Sequence, residues 1–227
     1  MPIMLAPESH ADGRFDERLG VWFRIPPEKG IAPRPAVFLD RDGVIIEDPG
    51  YLCRPSDLIL IPGAAEWIAH ANRQNVPVVV VTNQAGIALG YYGWREFLAV
   101  ENALRSRLAA AGAAVDAVFA CPYHPNGLEP WAHPAHPARK PRPGMLCAAA
   151  ELMNLDLKSS WIVGDKHVDL LAGQAAGLRG GLHVLTGHGV AQRPLVSAWR
   201  PEGFEVRTGD SICDAFPLID LRKLSGC

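Results

Sequence analysis

The sequence predicts an α/β fold, a doubly wound and mostly parallel sheet with helices on its faces. Three observations carry that expectation. Short apolar runs alternate with longer stretches of helical composition, one apolar run shows no polar alternation, and polar clusters fall at the carboxyl ends of several runs. In such sheets ligands bind outside the carboxyl ends of the strands.

Residues 1–33 read as an N-terminal extension that contains Trp22 and Phe23, packs on the body and carries no readable chemistry; residues 34–227 read as the main domain. Val37-Phe38-Leu39 is the first expected strand of that domain, and 64–74 has helical composition. The second strand is 77–81, with proline at the tolerated first position. Its four successive valines do not alternate with polar residues, which predicts cover on both faces, as in a parallel sheet. Residues 94–111 carry Phe97, Val100, Leu104 and Leu108 at helical spacing. A third strand follows at 117–120. Residues 121–143 hold seven of the 20 prolines and three of the eight histidines, so a long ordered loop is expected there. A helix at 144–153, a strand at 161–163, a helix at 168–176 and a strand at 182–185 complete the pattern.

Length and composition bound the function. A chain of 227 residues suits one domain able to bury a core. Lys and Arg number 22 against 24 Asp and Glu, a net charge of -2, with no basic run, so a nucleic-acid partner is not expected. Five cysteines at irregular spacing point to a reducing compartment rather than a disulfide framework. The first residues lack a basic stretch followed by an apolar one, and no apolar run approaches the roughly 20 residues that span a bilayer. The expectation is a cytoplasmic chain with no membrane partner.

The stretch Leu39-Asp40-Arg41-Asp42-Gly43 aims two carboxylates at the end of a buried strand. Alternation along a strand lets Asp40 and Asp42 project to one side, and Gly43 permits a tight turn. Two close carboxylates repel unless a cation or a shared proton intervenes; the bland alternative is a solvated acidic loop. If Asp40 attacks a phosphate monoester, repulsion from one phosphate charge at about 3.5 Å is about 5 kcal/mol at an effective dielectric of 20. Cations must offset it. Asp165, after the strand at 161–163, can join Asp40 in holding Mg2+, with Asp42 included in the metal set. Lys140 supplies a second positive charge, and the Thr82 hydroxyl with nearby backbone N–H groups can donate to phosphoryl oxygens. Asp42 is then the general acid and base, protonating the leaving alkoxide and later deprotonating the water that hydrolyses an aspartyl-phosphate.

The ordered set Asp40-x-Asp42, Thr82-Asn83, Lys140 and Gly164-Asp165-Lys166-x-x-Asp169 resembles the haloacid dehalogenase (HAD) superfamily of phosphotransferases. The fuller phrases Asp40-Arg41-Asp42-Gly43-Val44-Ile45, Thr82-Asn83-Gln84-Ala85-Gly86-Ile87, Arg139-Lys140-Pro141-Arg142-Pro143-Gly144-Met145 and Val163-Gly164-Asp165-Lys166 look like its D-glycero-D-manno-heptose-1,7-bisphosphate 7-phosphatase and histidinol-phosphatase branch. The match covers residues 34–190. It implies a HAD-like Rossmannoid domain with Asp40 as nucleophile, Asp42 as acid/base, Thr82 and Lys140 as phosphate binders and Asp165 as Mg2+ ligand. By the same resemblance Asp169 is a supporting acid behind the metal, Asn83 a phosphate-binding and Arg139 a substrate-contacting position.

Branch members often hold a structural zinc with Cys-x-His and a later Cys-x-Cys. Here Cys121 matches, but Tyr123, His136 and Ala138 stand at the other three positions. A remodelled Zn2+ site from Cys121, His124, His133 and His136 is chemically possible, and a metal-free, proline-stiffened loop is the alternative. Neither interval flanking Thr82 is long enough for a large cap, so an open site is expected that takes a small phosphorylated metabolite such as a sugar phosphate, with histidinol phosphate as the alternative substrate. A receiver-like phospho-accepting module is a different class, against which Asp42 argues. A phosphate-binding module without catalysis is another, against which the complete motifs argue.

Overall fold

The computed structural model describes residues 13–25 and 32–218. Its elements in chain order are β1 (Arg14–Asp16), β2 (Val21–Arg24), β3 (Val37–Leu39), α1 (Ala64–Arg73), β4 (Val78–Asn83), α2 (Ala85–Ala88), α3 (Trp94–Ala110), β5 (Ala117–Cys121), α4 (Gly144–Met153), β6 (Trp161–Gly164), α5 (His167–Ala175), β7 (Gly180–His183), α6 (Gly189–Ala198), β8 (Glu205–Thr208) and α7 (Ala215–Leu218). The strands form one sheet in the order β1-β2-β5-β4-β3-β6-β7-β8. Pairing is parallel from β5 to β8 and antiparallel at β1-β2 and β2-β5.

The chain leaves β3 towards β4 and β5, then crosses back to place β6 on the other flank of β3. That reversal is the topological switch point, and it opens a crevice beyond the carboxyl ends of β3 and β6. Asp40 follows the one strand and Asp165 the other, so topology alone brings together residues 125 positions apart.

The valines of β4 explain their own lack of alternation. Val78 and Val80 belong to an apolar cluster with Trp67, Ile68, Phe97 and Leu104 of α1 and α3. Val79 and Val81 belong to a second cluster with Met145, Leu146 and Leu170 of α4 and α5 on the opposite face. Both faces of the sheet are therefore covered, and all four valines are buried. The stripe Phe97, Val100, Leu104 and Leu108 is the buried face of α3, as its spacing predicts.

Four features differ from the sequence reading. The extension contributes a hairpin: the Asp16 carboxylate accepts from the N–H groups of Arg18 and Leu19 to close its turn, and Trp22 pairs with Ala120 while meeting Phe97 edge-on at 5.2 Å. Its pattern is too short to stand out from an unpaired segment. The strand expected at 182–185 lies at Gly180–His183, because the glycine pair is used for packing rather than turning. A Cβ on Gly180 would lie 2.8 Å from the Trp161 ring, and one on Gly181 3.0 Å from Phe204. Helix α6 was hidden by Pro194 within it, and β8 by the exposed, polar pattern of an edge strand. No large cap domain interrupts the described residues; the segment between Cys121 and Gly144 is one long ordered connection.

Candidate active site

β3 ends at Leu39, yet the Asp40 N–H still donates to Val163 O at 3.0 Å, so the sheet ladder fixes the backbone of the first aspartate. Its Oδ1 accepts from the Arg41 N–H at 2.8 Å and lies 3.0 Å from Lys140 Nζ. Gly43 then reverses the chain at φ +87°, its N–H donating to Ile46 O at 2.7 Å. A side chain here would be strained in backbone, and its Cβ would fall 2.5 Å from Asp165 Oδ2. Only glycine lets the two strand ends close on each other.

Lys140 is buried, and its ammonium has three partners: Val81 O at 2.7 Å, Asp40 Oδ1 at 3.0 Å and Asp169 Oδ1 at 2.7 Å. Burial alone would lower its pKa, but the Asp169 and Asp40 carboxylates outweigh it and hold the group above its ordinary value. Asp169 sits in the first turn of α5, where its Oδ2 accepts from the Lys166 N–H at 3.0 Å and caps the helix. Asp165 is fully buried; Oδ2 accepts from the His188 N–H at 2.7 Å, while Oδ1 accepts no hydrogen bond. Burial, and then the charges of Asp40 and Asp169, push its carboxyl up to about 7.

Carboxylate oxygens of Asp40, Asp165 and Asp169 all lie within 4.8 Å of one another. Three hard oxygen donors, one of them buried without a partner, suit a small divalent cation such as Mg2+. A cation there would reverse the repulsion that raises Asp165. Asp169 thus stands inside the acidic cluster rather than behind it. Asp42, expected in the metal set, has its carboxylate elsewhere: Arg41 Nε and a terminal guanidinium nitrogen reach it at 3.1 Å, and Gln84 Nε2 at 3.0 Å.

Thr82 and Asn83 end β4 beside these groups. Thr82 is buried, and its Oγ1 accepts from Gln84 Nε2 at 2.7 Å. The Asn83 amide lines the cavity but clamps the next motif, donating to Lys140 O at 3.0 Å and accepting from Lys140 N–H at 3.1 Å. Arg139 also lines the cavity, with one terminal nitrogen donating to Tyr123 O at 2.9 Å. The cavity holds about 400 Å³ and is open to solvent. Asp48, Tyr51, Gln84, Tyr92, Lys166 and His188 complete its wall without having been singled out from the sequence. Asp48 Oδ2 lies 3.3 Å from Lys166 Nζ and 3.1 Å from His188 Nε2. Asp48 and His188 stand outside every motif, so nothing local marked them; Gln84 and Lys166 lie within the matched phrases, beside Asn83 and Asp165, which was the available signal.

The remodelled zinc site does not assemble. Among the described residues Cys121, His124, His133 and His136 do not share ligand distance; the acidic trio alone does. Each histidine instead opens a turn, Nδ1 accepting from the N–H two residues on: Asn126 at 3.1 Å, Ala135 at 3.1 Å and Ala138 at 3.2 Å. A ring that accepts at Nδ1 engages that lone pair with the local backbone. Burial pushes the Cys121 thiol up to about 12. Of the four positions at which the resemblance implied zinc ligands, Tyr123 and His136 stack at 3.9 Å with 2° between planes, and Cys121 and Ala138 join one apolar cluster.

Comparison with known proteins agrees with this geometry. The family model for HAD-hydrolase-like proteins matches residues 137–210. A D-glycero-beta-D-manno-heptose-1,7-bisphosphate 7-phosphatase of Mesorhizobium japonicum is 49% identical over 163 residues, 71% of this chain and 75% of that one. A solved HAD-like structure from Mesorhizobium loti superposes with a TM-score of 0.80 at 40% identity, covering 92% of this chain and 97% of its own. The D,D-heptose 1,7-bisphosphate phosphatase of B. bronchiseptica, solved with magnesium and phosphate, superposes with a TM-score of 0.67 at 32% identity, covering 85% and 96%. The chain belongs to the HAD superfamily of phosphatases, in the branch of the D-glycero-D-manno-heptose-1,7-bisphosphate 7-phosphatases.

Proposed function

We propose that this chain removes the 7-phosphate of D-glycero-D-manno-heptose 1,7-bisphosphate through an aspartyl-phosphate on Asp40. The carrying observation is the buried Asp40 carboxylate, 3.0 Å from Lys140 Nζ and clustered with Asp165 and Asp169 at the floor of an open cavity of about 400 Å³. A small sugar phosphate suits that volume. The names of relatives such as the 49%-identical Mesorhizobium protein support the heptose over histidinol phosphate.

Asp40 attacks phosphorus, and the bond to the sugar oxygen breaks while Asp42 donates a proton to the departing alkoxide. Water then attacks the phosphorus of the aspartyl-phosphate, giving up its proton to Asp42, and inorganic phosphate leaves with Asp40 restored. Lys140 and the Thr82 hydroxyl offset charge on the phosphoryl oxygens, while Asn83 sets the backbone that carries Lys140. Mg2+, held by Asp40, Asp165 and Asp169, supplies further positive charge against the phosphate when bound. Arg139 is the substrate contact on the wall. Among the described residues no helix is long and apolar enough to cross a membrane, and Cys53, Cys121, Cys147 and Cys213 are free thiols. Both facts support work in the cytoplasm on a soluble metabolite.

Phosphate release from both anomers of the heptose bisphosphate and from histidinol phosphate, with Mg2+ and then with chelator, tests the proposal. The heptose bisphosphate should be turned over best, chelator should abolish turnover, and Asp40→Asn should be inactive yet folded. An active Asp40→Asn protein would sink the nucleophile assignment.

A further inference from the structure

Gln84 is buried between two groups that the chemistry needs and stands in the Thr82 phrase without a role assigned to it. Its side chain uses every hydrogen-bonding valence it has. Oε1 accepts from Arg41 at 3.1 Å and from the Tyr92 hydroxyl at 2.5 Å. Nε2 donates one hydrogen to Asp42 Oδ2 at 3.0 Å and the other to Thr82 Oγ1 at 2.7 Å. The guanidinium of Arg41 can only donate and the carboxylate faces the opposite end, so the amide has one orientation consistent with its neighbours.

Two consequences follow from that orientation. Thr82 receives a hydrogen bond on its oxygen, which leaves its own hydroxyl hydrogen for a phosphoryl oxygen. Asp42 is gripped on one oxygen by Gln84 and Arg41 Nε and on the other by an Arg41 terminal nitrogen, so its rotamer is set by buried neighbours in the cavity wall. Arg41 is anchored in turn by Glu101 Oε1 of α3 at 2.8 Å and lies over the Phe97 ring at 5.6 Å. Asp42 is therefore tied to a buried, packed frame, while a solvated acid on a loop would sample several rotamers.

We propose that Gln84 is a positioning residue that couples proton transfer to phosphate binding: one amide aims the Asp42 carboxylate at the leaving oxygen and turns the Thr82 hydroxyl into a donor, with Tyr92 and Arg41 holding it. This rests on the reading that Asp40 and Asp42 hydrolyse a phosphate monoester.

The test compares kcat/KM for a sugar phosphate, whose alkoxide needs a proton to leave, with p-nitrophenyl phosphate, whose phenolate does not. Both are assayed with Mg2+ on wild type, Gln84→Leu, Gln84→Glu, Tyr92→Phe and Asp40→Asn, with thermal melting of each. The sugar substrate is heptose 1,7-bisphosphate. Gln84→Leu should lower kcat/KM on the sugar phosphate about 10- to 100-fold more than on the aryl phosphate, part of the range for a positioned general acid. Gln84→Glu, which cannot donate to Asp42, should shift the ratio in the same direction. Tyr92→Phe, which removes only one anchor of the amide, should shift it about threefold, on the scale of one weakened hydrogen bond. If Gln84→Leu does not fold, the ratio in the other two variants decides. An unchanged ratio, whether both rates fall together or neither falls, overturns the inference while an inactive Asp40→Asn leaves the hydrolase reading standing. A wild type inactive on both substrates overturns the two together.

Discussion

The Asn83 amide and the Lys140 backbone exchange two hydrogen bonds, 3.0 Å from Asn83 Nδ2 to Lys140 O and 3.1 Å from Lys140 N–H to Asn83 Oδ1. The end of β4 thereby holds Lys140, which lies on a long loop, in register with Asp40. Asn83→Leu should lose both bonds and displace Lys140. We expect kcat/KM to fall about 100-fold, the scale of a 1 Å misplacement, although Asn83 is not in the proton-transfer path. Steady-state kinetics of the folded variant would check this, and unchanged kinetics would return Asn83 to an ordinary strand end.

Lys140 neutralises two buried carboxylates. Replacing it with methionine keeps most of its volume but leaves Asp40 and Asp169 facing each other with no fixed cation. Breaking a buried ion pair from one side costs about 3–5 kcal/mol, so Lys140→Met should melt at lower denaturant in chelator. Adding Asp169→Asn should recover part of that loss, because one of the two unpaired charges is gone. A double variant less stable than Lys140→Met would count against the ion-pair account.

Stability of metal-free protein should depend on pH through Asp165. Its folded carboxyl is raised to about 7 by burial and then by the Asp40 and Asp169 charges, well above an unfolded aspartate. Between about pH 4 and 7 the folded state therefore binds a proton that the unfolded chain has released, so this contribution is full at the acid end and lost as pH rises through 7. In chelator the melting midpoint should decline from pH 5 to pH 8. Mg2+ needs the ionised cluster, so it should raise the midpoint more at pH 8 than at pH 5. Equal Mg2+ shifts at the two pH values would contradict the assignment of Asp165 to the metal.

The stacked pair Tyr123 and His136 occupies two of the four positions at which the family resemblance implied zinc ligands. Protein purified in metal-free buffer should carry no stoichiometric zinc, and Cys121→Ser should leave its metal content unchanged. Tyr123→Ala should lower stability by about 1 kcal/mol beyond the lost apolar area, the scale of an aromatic pair. Stoichiometric zinc by metal analysis would reverse this view of the loop.

Most of the sheet and the candidate site residues were legible because they are locally encoded. A parallel strand covered on both faces must be apolar throughout, as Val78 to Val81 are, and the chemistry needs acids directly after such strands, as Asp40 and Asp165 stand. Asp40, Asp42, Thr82, Lys140 and Asp165 therefore stood out in the chain order of their motifs. The hairpin at 14–24 was not legible, since antiparallel pairing to β5 depends on a partner almost a hundred residues away.

What the sequence by itself determined was the fold class, the family likeness and the list of candidate groups, since periodicity and short motifs are properties of neighbouring residues. Only the tertiary structure decided how those groups are divided. It put Asp169 with Asp40 and Asp165, turned Asp42 towards Arg41 and Gln84, spent Asn83 on the Lys140 backbone, and set the three candidate zinc histidines in turns of their own while Cys121 stayed in β5. Those outcomes depend on which way a side chain points once distant strands are side by side, and on whether a nearer backbone N–H claims its lone pair first. Neither is a property of the residue's sequence neighbours.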